Sequence, residues 1–409
     1  MTRTTTARDS DGPAKVVLWA GSFEYAGTQR FLVELLKRID RSVLSPIVFS
    51  TRADGELLPV VEGLGVPVHE FGTGTSPFSP ATASGLWRAS RFLRRERVQV
   101  LCCMLGVTTL FGPFVGRMAG VPVVVNAQRN QGYWLGKGLR SCVFGYVSRR
   151  VVDGILVNSS AARDELTGRF GVRDSLIHDT GGGVDVGSIS GADCPEALRR
   201  EFGLEGARVV GSVGKLSRVK DHRTFLRAAA AVASRRDDVI FLLVGDGPLR
   251  GELEEFAAEL GLTDRVRFTG ERRDVPSLLK LMDVFVLSST SEGLPNAVME
   301  AMASSLPVVA TDVGGVSQLV VDGESGRLAG PGDADGIARA VAEILDDPRL
   351  ASRMGSAGFE RVRSDYDIDS SVKGFEGALM ALLRGAGRSA GGARGRVGPG
   401  ADSVGSAQR

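Results

Sequence analysis

The chain reads as two doubly wound α/β domains facing a cleft. Three observations predict this. Short apolar runs alternate with segments of helical period along most of the 409 residues, the pattern of right-handed βαβ units and a largely parallel sheet. The alternation pauses near residue 190 and then restarts. The length exceeds what one hydrophobic core ordinarily supports.

Each element has a local reason. In the first domain, expected over residues 14–190, six runs read as strands: KVVLWA (15–20), PIVF (46–49), VPVHEF (66–71), VQVLCC (98–103), PVVVN (122–126) and GILVN (154–158). They are short and apolar, and most are rich in β-branched residues. Residues 27–38 carry Phe31, Leu32, Leu35 and Leu36 at helical spacing, and 86–97 read as another helix. In the second domain, expected over 191–370, RVVGSV (208–213), VIFLLV (239–244), RVRF (265–268), VFVL (284–287) and PVVA (307–310) repeat the strand pattern, with a helix over 221–235. The loop-like stretch around 187–195 separates the two. A last helix is expected over 371–384. The tails, 1–13 and 385–409, hold little to bury and are expected to be disordered.

Bulk properties exclude several classes. A net charge of +2 does not suggest a nucleic-acid partner. The four cysteines form no C-x-x-C pair, and two of them, Cys102 and Cys103, are adjacent. They read as reduced thiols of a cytosolic protein. No run reaches the ~20 apolar residues of a membrane span. The polar first residues lack the apolar core of a signal peptide. A cytoplasmic location is therefore expected.

Ligands of such sheets bind outside the carboxyl ends of the strands. The stretch SEGLPNAVMEAMA (291–303) lies there. Pro295 suits a first helical position, and a helix N-terminus offers free N–H groups to a phosphate. Glu292 stands beside that anion seat, or simply favours the helix dipole. Glu300 lies about 7.5 Å further along the helix, in a run apolar on every face. A buried carboxylate there needs a partner. Either a ligand supplies it or an arginine does. In GKLSRVKD (214–221), two lysines on a strand-to-helix loop can flank a diphosphate, or form a solvated basic turn. It is no Walker A loop, because Val209 stands where the first glycine belongs. GDGP (245–248) is a tight turn whose spelling alone says little.

Together these stretches resemble the retaining nucleotide-sugar glycosyltransferases of family 4, over residues 15–384 and most strongly in the second domain. The most specific element is E-x7-E, here Glu292 and Glu300. VGKLSRVKDHRTFLRAA (213–229), LLVGDGPLRGELE (242–254), FTGERRDVPSLLKLMDVFVLSSTSEG (268–293), GTQRFLVELLKRID (27–40) and GRMAGVPVVV (116–125) support it. The resemblance implies a GT-B fold of two Rossmann-like domains, the first for the acceptor and the second for the donor. It implies that Glu300 holds the ribose, that Glu292 faces the donor sugar, and that Lys215 and Lys220 bind the diphosphate. Gly27 would let backbone approach from the first domain. Gly270, Glu271 and Arg272 would hold the base, partly through backbone. Gly214, Gly245, Gly293, Leu294 and Asn296 would complete the donor pocket. The last helix would cross back to the first domain.

Two departures stand out. The family usually has arginine where Lys215 stands, and commonly a histidine in the segment aligned with 102–106. Here the histidines are His69, His178 and His222, with His222 read as a loop cap. Cys102, Cys103 and residues 126–130 become candidates for the vacated space. The expected reaction moves a sugar from a UDP- or GDP-sugar to a glycan, a lipid-linked sugar or a small molecule, without a cofactor or metal. The Asp-x-Asp pairs at 333/335, 365/367 and 367/369 read as surface features. A nucleotide-sugar epimerase or a non-catalytic binding protein of the same fold are the alternatives. Arg88, Arg91, Arg94, Arg95, Arg97, Arg149 and Arg150 are either a solvated face or a contact with anionic lipid.

Overall fold

Strands that are apolar on both faces need helices above and below them. The computed structural model, which describes residues 12–72, 80–104, 106–129, 138–193 and 196–392, meets that need twice. The first sheet contains β1 (Ala14–Ala20), β2 (Leu44–Ser50), β3 (Val68–Glu70), β4 (Val100–Cys103), β5 (Val123–Gln128), β6 (Gly154–Val157) and β7 (Ile177–Asp179). Their order is β3-β2-β1-β4-β5-β6-β7. The second contains β8 (Arg208–Val213), β9 (Val239–Val244), β10 (Val266–Gly270), β11 (Val284–Leu287), β12 (Val308–Thr311) and β13 (Gly326–Ala329), in the order β10-β9-β8-β11-β12-β13. All pairings within the two sheets are parallel. In each sheet the order reverses beside its first strand, which sets a ligand crevice at the ends of β1 and β4 and of β8 and β11.

Alternation along β1 shows the layering. Val16, Leu18 and Ala20 enter a core shared with Phe31, Leu35 and Phe375, while Val17 and Trp19 enter another with Ala89, Leu93 and Val115. Helices Gly27–Arg38 and Ile368–Gly392 therefore cover one face of the first sheet, and Pro80–Arg95 and Thr108–Ala119 the other. The final helix does return to the first domain: Ile368, Val372, Phe375 and Leu379 are in its core. The chain's two passages between domains are laced together, with Val184 N–H donating to Tyr366 O (3.0 Å) and Ile368 N–H to Val184 O (3.1 Å).

Several bounds differ from expectation. The final helix runs to Gly392, past Arg384 and into the stretch read as a disordered tail; Ala386 still packs against the first-domain core. The helix expected from 86 begins at Pro80. β7 and β13 were absent from the sequence reading. Residues 1–11 and 393–409 lie outside the described residues.

Candidate active site

The second-domain crevice is built from two loops stitched together. Ser288 Oγ, just after β11, donates to the carbonyls of Lys220 and Asp221 (3.0 Å each), and Thr290 N–H donates to Val219 O (2.8 Å). The stitching brings the lysine loop onto the glutamate loop. Glu292 Oε1 accepts from Lys220 Nζ at 2.7 Å and from Ser289 Oγ at 2.6 Å. Its side chain is only 11% exposed. Lys215, by contrast, is exposed and has no ion-pair partner among the described residues. His222 opens the helix His222–Ala233 rather than capping a loop. Burial, together with the positive charge of Lys220, holds its pKa down to about 4, so the imidazole is neutral at pH 7.

The glycines here serve close packing. Gly245 has φ +135°, and a Cβ on it would lie 2.1 Å from Gly214 O. Gly245 thus seats the lysine loop against the end of β9. A Cβ on Gly315 would lie 2.3 Å from Gly293 O, and Gly315 N–H donates to that carbonyl at 2.8 Å. The turn Glu292–Gly293–Leu294 is therefore fixed from below.

The helix of the E-x7-E stretch spans Asn296–Ala303, with Pro295 one residue ahead of it rather than at its first position. Its N-terminus faces the N-terminus of Gly27–Arg38 from the first domain: a Cβ on Gly27 would lie 3.6 Å from Asn296 Nδ2. Two partial positive charges converge there, and Lys220 of the lysine loop is tied to the same place through Glu292. An anion between them would satisfy both helix ends.

Glu300 does have an arginine partner. Arg30 Nη2 of the first domain lies 2.5 Å from its Oε1. The two groups form a close ion pair between the domains. Burial alone would lower the Arg30 pKa, but Glu300, with smaller help from Tyr25 and Glu34, raises it instead. Of the expected base-binding residues, Glu271 is exposed, while the Arg272 guanidinium is held by Asp274 (2.9 and 2.7 Å) and Glu201 (2.9 Å). A base at 270–272 would meet backbone more readily than that side chain.

Other candidates are placed elsewhere. Cys102 and Cys103 are fully buried in two cores, and burial raises both thiol pKa values. They do not fill the space of the family's histidine. Asp333 caps the helix Ala334–Asp346, Asp367 accepts from Asp369 N–H, and Asp369 pairs with Arg38. A depression of about 640 Å³ lined by Phe202, Arg250, Leu262 and Phe268 contains none of the candidate residues. The crevice is preferred over it because the charges converge there. Arg30, Ser289 and Asn158 were not singled out by the sequence. Only the unpaired Glu300 hinted at Arg30.

Known proteins share the two-domain pattern of this chain. The profile of "Glycosyl transferases group 1" matches residues 196–361, and that of "Glycosyl transferase 4-like domain" matches 26–178. The 2-deoxystreptamine glucosyltransferase of Streptomyces kanamyceticus is 33% identical over 63% of this chain and 70% of its own length. The alpha-D-kanosaminyltransferase of the same organism is 30% identical over 71% and 80%. The chain belongs to the GT-B glycosyltransferases. This glycosyltransferase also shares its fold with Anabaena HepE, crystallised with UDP and glucose (TM-score 0.81, 21% identity, 90% of this chain and 100% of that one). WaaG, a glycosyltransferase involved in lipopolysaccharide biosynthesis, superposes with a TM-score of 0.71 at 15% identity, over 89% and 99%.

Proposed function

We propose that this glycosyltransferase moves a sugar from a nucleoside diphosphate sugar to its acceptor with retention of anomeric configuration and without a metal. The observation that carries the reading is the convergence of two helix N-termini, at Gly27 and Asn296, beside the Lys220–Glu292 pair. The transition state places positive charge on the sugar ring and negative charge on the leaving diphosphate. Lys215, Lys220 and the helix ends hold that diphosphate by preorganised charge. Removing one such donor typically costs about 2.7–4 kcal/mol. Glu292 faces the sugar, and Glu300 receives the ribose hydroxyls. UDP is the favoured nucleotide, since HepE was crystallised with it.

Incubation with UDP-glucose, UDP-N-acetylglucosamine and GDP-mannose should release free nucleoside diphosphate from one of them, and EDTA should not change the rate. Loss with EDTA, restored by Mg²⁺ or Mn²⁺, would refute metal independence. No release and no thermal shift with any donor would refute the transfer reading. The anomeric coupling constant of the product decides retention.

A membrane surface is the proposed surrounding of the acceptor. No described helix is long and apolar enough to cross a membrane. Helices Pro80–Arg95, Thr108–Ala119 and Leu139–Arg150 contain eight arginines and no acidic residue. Of the eight large apolar side chains exposed among the described residues, six (Trp87, Val107, Phe114, Met118, Leu139 and Tyr146) lie on or just before these helices. Basic charge with apolar side chains suits an anionic bilayer. The protein should sediment with phosphatidylglycerol vesicles and not with phosphatidylcholine vesicles. Equal recovery from both would exclude charge-driven docking.

A further inference from the structure

The first-domain side of the cleft holds two polar groups that the donor chemistry leaves unused. β5 and β6 pair in register up to Gln128 and Val157. One step further, Arg129 and Asn158 stand side by side at the carboxyl edge of the sheet. Ala127 and Leu156, two residues before them, share the core that contains Phe31, so by strand alternation both follow on that face. The Arg129 guanidinium indeed lies over the Phe31 ring, 3.4 Å from its centre.

Beyond that ring, neither residue has a partner for its polar head among the described residues. Asn158 is 5% exposed and its Oδ1 has no hydrogen-bond partner. Arg129 is partly exposed, and its head group has no carboxylate partner among the described residues. The next eight residues of the chain, NQGYWLGK, contain no acid. Desolvation lowers the Arg129 pKa, with no counter-charge to offset it, and the guanidinium stays charged at neutral pH. A charge kept in such a place with a ring face but no counter-charge is costly to the fold.

The location is next to the turn that carries Glu292. A Cβ on Gly182 would lie 2.3 Å from Leu294 Cδ2 and 3.7 Å from Asn158 O. Asn158 therefore sits close to the turn that carries Glu292. Phe31, under Arg129, follows Arg30, which reaches Glu300. We propose that Arg129 and Asn158 form an acceptor-side subsite for an oxyanion, a phosphate or carboxylate carried by the acceptor, with Asn158 Oδ1 accepting from a neighbouring hydroxyl or N–H. The inference rests on the donor reading above for the place of the sugar. An uncompensated guanidinium repels an amine-bearing acceptor, so the subsite favours an acidic one.

The test begins with the full chain saturated with UDP, so that the lysine loop is occupied. Inorganic phosphate in one arm and succinate in the other are then titrated by calorimetry, and the arm that binds identifies the anion. Binding should weaken about tenfold or more in Arg129→Met and in Asn158→Asp, whose new carboxylate would occupy Arg129. Arg129→Lys should keep part of it. Arg129→Met should also raise the melting temperature of the unliganded protein, whereas a structural arginine would lower it. If the wild type binds UDP but neither anion, or if the variants bind as the wild type does, the subsite is refuted. Phosphate that binds only when UDP is absent is a mimic of the donor diphosphate and refutes it too. Failure to bind UDP at all would strike the donor reading; the Arg129 dependence of phosphate binding, measured without UDP, would then decide the subsite alone.

Discussion

Glu292→Ala should sharply slow transfer while leaving the affinity for free UDP equal to or tighter than that of the wild type. The carboxylate is proposed to face the sugar, which free UDP lacks. In the unliganded protein it also neutralises Lys220 at 2.7 Å. Removing it releases the full charge of Lys220 to the diphosphate. Turnover should fall by a factor on the order of 10²–10³, as for loss of one preorganised group at a reacting centre. Glu292→Gln keeps the volume and should behave alike, which separates charge from packing. Calorimetry with UDP and a transfer assay decide between outcomes. A variant that loses UDP and turnover in parallel would show that Glu292 organises the nucleotide site and does not act on the sugar.

The second large effect concerns the pair between domains. Arg30 and the ribose compete for one carboxylate. Arg30→Ala should therefore bind UDP more tightly, and Glu300→Ala more weakly by about 1.5–3 kcal/mol. Stability should move the other way for Arg30→Ala. Glu300 is only 4% exposed, and stranding a buried charge costs about 3–5 kcal/mol. The lower end applies, since Arg30 itself is 32% exposed. UDP should then raise the melting temperature of Arg30→Ala more than that of the wild type. Unchanged melting temperature and unchanged UDP affinity in Arg30→Ala would mean that the ion pair is not populated in solution.

What could be read in advance followed from local pattern. The strands β1, β8, β9 and β11 are apolar runs between turn formers, and the sequence marks them plainly. β7 (Ile177–Asp179) and β13 (Gly326–Ala329) are three and four residues long; each is an edge strand without an apolar run, so its pairing is decided by the neighbour strand. Thr108–Ala119 carries Pro113 inside it, a residue that argues against a helix until packing overrides it. The end of the last helix looked unfolded from its glycines and serines. It continues because the turns before it are already docked through Leu379 and Ala386. At the site, an all-apolar run made Glu300 conspicuous, but its partner lies 270 residues away at Arg30 and no spacing rule reaches that far. Chain position makes Cys102 and Cys103 candidates for the vacated histidine space; strand alternation carries both into cores instead.

The returning helix also constrains the order in which the molecule can be completed. Phe31 packs its ring against Phe375 at 5.9 Å, so the first domain closes its core with residues made roughly 200 positions after β7. At bacterial-like translation rates of about 5–20 residues per second, that gap lasts on the order of 10–40 s. During it the second domain can acquire both of its sheet faces while the first still shows the apolar groove along Phe31 and Leu35. Vectorial synthesis thus finishes the later domain before the earlier one, and the first sheet is sealed only when the returning helix Ile368–Gly392 arrives.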